Sequence, residues 1–480
     1  MHAVQNSWMD LARKNAALIA ATSSSAATPG SEVWKRPVSP PARDRATTFF
    51  MRQYVFDMAS AGGTLPLRDN HEFLPGLIRN QQSSFGLLST TVAAAGFAAL
   101  SNAGNVSEWR AEAFRLYDSA IRQLQVALQD PVQRVSDETL GAVLLMGTFE
   151  TIAFADTGSL KAFSQHIIAA ARCIELRGPA QFQTVVGLKM FMQMRRIMVR
   201  RVSACIPQLL TQYKITTCHQ LQEPIPFEIS KWSSWAETSQ NSDLVPVNRF
   251  SEINEALASV RAELKYQHIT EPAVISDRLL KIDKLFEDWA RTLPPSWVYK
   301  PYRSIGPNGV PSSRYDLQHD MYADPWIACV WNCYRNVRLL IHESIIIATL
   351  KHGTVEQKEA LQSSAKVLAT MADGICHSVA YHLGYRAQDD AVESFAQTMH
   401  LSSNPTPGGF LLIWPLFFAG IQRTTSADQR QWVGAMMRRI GVRMGLRLAV
   451  SMADLLLETE IQDLSFSNCE TFLIGEWYPS

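Results

Sequence analysis

Residues 106–130 read VSEWRAEAFRLYDSAIRQLQVALQD, and this stretch decides the fold class. Ala113, Tyr117, Ala120, Ile121, Leu124, Ala127 and Leu128 recur at steps of three and four, which lays one apolar stripe along a helix. Asp130 and Pro131 end it, because proline cannot continue the hydrogen-bond ladder. Ser136 then offers an N-cap, Asp137 and Glu138 suit the first turn of the next helix, and Leu140, Val143 and Leu144 point inward. A turn at Asp156 to Gly158 closes that helix, and a third runs through Leu160, Phe163, Ile167, Ala171 and Ile174 to Gly178 and Pro179. Short connections make these three antiparallel neighbours.

The same logic continues outward. After a Pro- and Gly-containing loop from Pro294 to about Gln318, Asp324 and Pro325 supply an N-cap and a first helical position for a helix through Ile345 or beyond. Further helices are expected over Leu361–Leu383, Phe410–Arg423 and Arg430–Leu457. No stretch alternates with period two for long enough to demand a sheet, and no fixed-period repeat occurs, so the expected fold is all-α. Residues 22–43 (TSSSAATPGSEVWKRPVSPPAR) have the composition of a flexible linker. We therefore divide the chain into a disordered or weakly helical N-terminus with linker, residues 1–43, and one large multi-helix domain, residues 44–480.

Composition narrows the function classes. The chain has 480 residues, 47% of them hydrophobic, enough for a large core, and 45 basic residues balance 44 acidic ones. No global field draws it to nucleic acid or a charged membrane surface, so DNA contact would have to be local or indirect. Phe85–Leu100 and Phe410–Ile421 fall short of the about eighteen residues a membrane span needs, so no transmembrane helix and no membrane partner are expected. The first twenty residues lack the apolar core of a secretory signal and read as disorder or a frayed helix around Trp8 and Leu11, with a weak mitochondrial presequence as the alternative. The seven cysteines, Cys173, Cys205, Cys218, Cys329, Cys333, Cys376 and Cys469, lack the spacing of a disulfide scaffold and suit a reducing compartment.

Chemistry-bearing candidates are few. Cys329 and Cys333 share a helical face and could give two metal ligands, but no second pair accompanies them, and packed core thiols are the better reading. Cys376 beside His377 and Cys218 beside His219 point about 100 degrees apart on a helix. His166, His342 and His382 read as satisfied histidines between helices. There is no phosphate-binding glycine loop, H-E-x-x-H or G-x-S-x-G, and no cofactor and no catalytic or metal residue is assigned. Lys189, Arg195, Arg196, Arg200 and Arg201 form a basic run without an acid, which reads as a solvated face above Met190, Met194 and Met198, with phosphate contact as the alternative. Arg335 and Arg338 differ, because Trp326, Trp331 and Tyr334 surround them in sequence. They should be buried, and either pair with carboxylates or line a cavity. Trp331, Arg335, Arg338 and His382 are thus the candidate inter-helix pocket.

Several strings resemble the fungal-specific transcription factor domain, the helical regulatory region of fungal zinc binuclear cluster regulators, and most closely the branch found beside secondary-metabolism genes. They are DRATTFFMRQYVFD (Asp44–Asp57), ALQDPVQRVSDETLGAVLL (Ala127–Leu145), His166–Gln181, DPWIACVWNCYRNVRLL (Asp324–Leu340), ICHSVAYHLG (Ile375–Gly384), GFLLIWPLFFAG (Gly409–Gly420), and the series Trp432, Gly441, Met444, Gly445. Most of these positions keep the fold: Gly178 permits a positive φ, Trp331 and Trp414 bury large areas, and Pro415 would kink or start a helix.

The resemblance implies a transcriptional regulator or co-regulator of a secondary-metabolite gene cluster, nuclear (or else cytoplasmic), with a protein partner, a homodimer or a small-molecule effector. The family reads DNA with a separate module whose cysteines, roughly C-x2-C-x6-C followed by C-x2-C and a last cysteine, hold zinc and present a helix to the major groove. No cysteine precedes Cys173 here, so no DNA-binding residue is identified, and DNA would be reached only indirectly or through a segment encoded upstream. The rival reading is a cofactor-independent enzyme, a cyclase or pericyclase, built on the recruited regulatory scaffold.

Overall fold

The computed structural model describes residues 41–55, 71–79, 86–154, 157–203, 227–237, 244–303, 315, 318–352, 354, 358–387, 399–401 and 408–458. The expected linker, apart from residues 41–43, lies outside them, as do Cys205, Cys218, His219 and Cys469. Two compact units emerge. The described residues of the first fall within 1–57, 70–194 and 441–448, and those of the second within 58–69, 195–440 and 449–480.

The first unit contains helices α1 (Ala42–Tyr54), α2 (Leu74–Arg79), α3 (Leu87–Gly104), α4 (Ser107–Gln129), α5 (Asp137–Ala153), α6 (Thr157–Arg177) and the start of α7 (Val185–Ser203). Helix α3 packs on α1, α4 and α5, and α5 packs on α6. Its alanines, Ala93 to Ala95 with Ala98 and Ala99, are buried and let neighbouring backbones approach closely. At Gly96 a Cβ would lie 2.2 Å from the Ala46 carbonyl oxygen of α1. At 18 residues α3 is apolar and long enough to cross a membrane by length and composition, longer than its sequence suggested, and 72% of it is buried.

The α4, α5 and α6 expected from sequence are present. Ser136 Oγ accepts from Thr139 N at 3.1 Å as the N-cap of α5, and every residue from Thr139 to Ala153 is buried. Gly178 follows α6 at φ 67°, in the left-handed region that favours glycine. Arg177 ties the end of α6 to the start of α5, donating to the Val135 carbonyl at 2.9 Å and pairing with Asp137. At the centre of the bundle the Tyr117 hydroxyl donates to Glu150 Oε1 at 2.5 Å and lies 3.0 Å from His166 Nε2, with its ring stacked on Phe149.

The second unit contains α8 (Phe227–Glu237), α9 (Val245–Tyr266), α10 (Pro272–Arg291), β1 (Lys300–Arg303), β2 (Gln318–Met321), α11 (Pro325–His352), α12 (Lys358–His382), β3 (Tyr385–Ala387), β4 (Met399–Leu401) and α13 (Gly408–Ile421). Most of α14 (Ala427–Met444) and α15 (Arg447–Glu458) belongs to it as well. Helix α11 packs on α10, α12 and α13. Strands β1 and β2 pair antiparallel with Lys300 opposite Met321, and β3 pairs antiparallel with β4 with Tyr385 opposite Leu401.

The all-α class holds, with two small departures. Strands of three or four residues are too short for alternation to register in sequence. The single helix expected over Arg430–Leu457 is two, because Gly445 adopts φ 68° and a Cβ there would meet the Ala99 carbonyl oxygen at 1.8 Å. Pro415 starts no helix but sits inside α13, and Trp414 is half-buried against Phe418 rather than buried like Trp331.

Candidate functional site

Helix α11 places the candidates. Asp324 Oδ1 accepts from Trp326 N at 2.8 Å and Pro325 opens the helix, so both start signals act as their chemistry suggests. From there Trp331, Arg335, Arg338 and His342 follow at steps of four, three and four and share one face. His382 comes from the last turn of α12. All five are buried in the second unit.

Their contacts form two polar clusters. Arg335 donates to Asp320 Oδ2 at 2.7 Å, to the Tyr322 hydroxyl at 2.8 Å and to Asn332 Oδ1 at 2.9 Å. Asn332 Nδ2 reaches Ser378 Oγ at 2.9 Å and His382 Nε2 at 3.2 Å, so His382 is joined to Arg335 through one amide. Gly374 of α12 makes room for this guanidinium, since a Cβ there would lie 2.7 Å from Arg335 Nε. One turn on, Arg338 binds Asp283 of α10 through both oxygens at 2.7 Å and adds Glu287 at 2.8 Å and the Tyr334 hydroxyl at 3.1 Å. His342 lies 3.0 Å from both Asp283 Oδ2 and Ser364 Oγ.

Aromatic rings enclose both clusters. Tyr299, Trp331 and Tyr334 lie over or beside the guanidinium carbons at 5.1 to 6.0 Å, and Trp289 packs on Trp331 and Tyr334. The Trp331 indole N–H donates to the Trp297 carbonyl and that of Trp289 to the Pro246 carbonyl, each at 2.8 Å.

Electrostatics distinguish the two carboxylates. Burial raises the Asp283 pKa, but hydrogen bonds and charge from His342 and Arg338 outweigh it and hold the group below the usual value. Burial wins at Asp320, which stands above the usual value despite Arg335, and its Oδ1 has no hydrogen-bond partner among the described residues. Burial would lower both arginines, yet their phenol and carboxylate partners keep both above the ordinary value. The four sequence candidates are thus brought together, with the arginine donors engaged by protein carboxylates, phenols and an amide. Asp283, Asp320, Tyr322 and Asn332 were not singled out in the sequence; the acids lie 55 and 15 positions from their arginines, with no local pattern to mark them.

Elsewhere, Lys189 pairs with Glu72 at 2.9 Å, and Arg195 is buried and donates to Asn248, so the basic run is not simply a solvated face. Burial lowers the Arg195 pKa to about 10 against the pull of Glu237 and Glu255. The side chains of Arg196, Arg200 and Arg201 lie outside those described. Cys329 is buried and Cys333 half-buried, while burial pushes the Cys173 thiol up to about 11. Among the described residues, no group of three or more His, Cys, Asp or Glu is placed to hold a metal. Glu343, one residue past His342, is buried with its carboxyl raised to about 8 by desolvation, against the pull of Gln422, Arg423 and Arg261.

This is a helical domain whose central arginines are spent on holding its own elements. Residues 50–264 match the family model of the fungal specific transcription factor domain, a match that suggests a transcriptional regulatory role. The match runs from α1 into α9, and Trp331, Arg335, Arg338 and His382 lie beyond it. No curated protein and no solved structure matches the chain.

Proposed function

We propose that the protein is a transcriptional regulator or co-regulator of a fungal secondary-metabolite biosynthetic gene cluster, acting in the nucleus through its helical regulatory domain. The observation that carries this reading is the domain match over residues 50–264. The test is deletion of the gene with transcript profiling, alongside chromatin immunoprecipitation of the tagged protein and imaging of its location. Altered transcripts in one biosynthetic cluster and occupancy at its promoters are expected. Unchanged transcripts together with no occupancy would refute the reading.

A further inference from the structure

The two arginines of α11 each have a carboxylate, and Arg430 has none. It lies in the first turn of α14, is 6% exposed, and its Nε, Nη1 and Nη2 are all buried without a hydrogen-bond partner among the described residues. Burial lowers its pKa, with no charged group among the described residues opposing it. A buried guanidinium without a counter-charge is less favourable than a paired one. The α14 start is otherwise well satisfied. Ser426 Oγ accepts from Gln429 N at 3.2 Å, Ser426 O accepts from Arg430 N at 3.0 Å, and Gln429 Nε2 reaches across to Asp373 of α12 at 3.0 Å.

The surroundings define what such a cation would accept. Arg430 heads the stripe that continues through Val433 and Gly434. A Cβ at Gly434 would touch Leu457 of α15 at 2.7 Å, and one at Gly420 of α13 would touch Leu456 at 2.9 Å and Val433 at 3.2 Å. The face of α14 one turn beyond Arg430 thus packs against leucine side chains of α15. Two further orphaned polar atoms, Gln422 Oε1 and Thr424 Oγ1, lie in the turn that leads into α14. Ser426, Ala427, Asp428 and Gln431 are exposed around this turn, so the path from solvent is short.

We propose that Arg430 is the anion-recognising group of a binding site for a small organic acid, one carboxylate attached to an apolar body, with the Thr424 hydroxyl donating to the carboxylate and Gln422 Oε1 accepting from a hydroxyl or N–H on the ligand. A carboxylate fits better than a phosphate because one negative charge neutralises one guanidinium and matches its two-pronged geometry, whereas a phosphate dianion would leave a net charge buried. The site is independent of any transcriptional role, and its test does not involve transcription.

The experiment uses the full chain at constant ionic strength with hexanoate and benzoate as probes, hexanol and inorganic phosphate as controls, and thermal unfolding and titration calorimetry as readouts. Either carboxylate is expected to raise Tm in a saturable way, with hexanol and phosphate at least tenfold weaker. Arg430→Met should fold with a Tm no lower than wild type, because an unpaired buried charge is removed, and should lose at least tenfold in carboxylate affinity. Arg430→Lys, which keeps the charge without the fork, and Thr424→Val should fall between the two. No saturable response to either carboxylate, an equal response in Arg430→Met, or a response to phosphate alone would each overturn the proposal. If Arg430→Met fails to fold, the Arg430→Lys and Thr424→Val affinities decide, and values equal to wild type in both overturn it.

Discussion

Replacing Asp283 with asparagine removes the charge that holds Arg338 in place. Asp283 accepts two hydrogen bonds from Arg338 at 2.7 Å and meets His342 at 3.0 Å, and its side chain is 6% exposed. Asparagine keeps the volume but turns one acceptor into a donor facing a cation or an imidazole. Breaking a buried ion pair from one side costs about 3–5 kcal/mol. The low end applies here, because Glu287, 42% exposed, still receives Arg338 at 2.8 Å. A loss of about 3 kcal/mol corresponds to a fall in Tm of about 6–12 °C for a unit of this size. The folded state holds Asp283 below its unfolded pKa of about 3.9, so its contribution is complete above that value and is lost as pH falls through the depressed one. The gap between wild type and variant should therefore be constant from about pH 5 to 7 and narrow as the pH falls below about 3.9. The double variant Asp283→Leu with Arg338→Met, which removes both charges, should recover at least half of the loss. Circular dichroism melts across this pH range provide the measurement. A Tm unchanged at neutral pH, or a double variant less stable than the sum of its single changes, would refute the reasoning.

Other expectations follow from single features. Glu343 has a folded pKa of about 8, above its unfolded value of about 4.3, so wild type loses stability as pH rises between the two. Glu343→Gln should thus gain on wild type across that window and hold its advantage, on the order of a few kcal/mol, above about pH 8, as read by Tm against pH. Gly445→Ala forces a left-handed residue and a clash with the Ala99 carbonyl, and should cost at least about 1–2 kcal/mol in denaturant unfolding. Ser136→Ala removes the α5 N-cap bond to Thr139 N and should cost about 1 kcal/mol in the same assay.

Legibility of the fold followed the range of the interactions involved. The α4 to α6 run was readable because each signal, the stripe through Tyr117 and Leu124, the cap at Ser136 and the stop at Gly178, acts within a few residues of itself. The break at Gly445 was missed because its cause, the Ala99 carbonyl, is remote in sequence and the apolar spacing on either side continues the helical period. The same division runs through the candidate site. Trp331, Arg335 and Arg338 stood out because cations among aromatics in an apolar helix must be buried and compensated. Their partners Asp283 and Asp320 sit in elements whose sequence shows only ordinary acids. Arg430 carried no signal at all, since an arginine in the first turn of a helix is unremarked until its nitrogens prove to be buried and unpaired.

The paired arginines of α11 also act as a vernier. Arg335 engages Asp320 of β2 and Arg338 engages Asp283 of α10, so two anchors on one helix face are fastened to two separate elements. Sliding α11 by a single residue would rotate both guanidiniums by about 100 degrees and strand both at once. Intermediate positions offer neither anchor, so α11 is seated in a discrete notch and would move, if at all, by jumps rather than by drift.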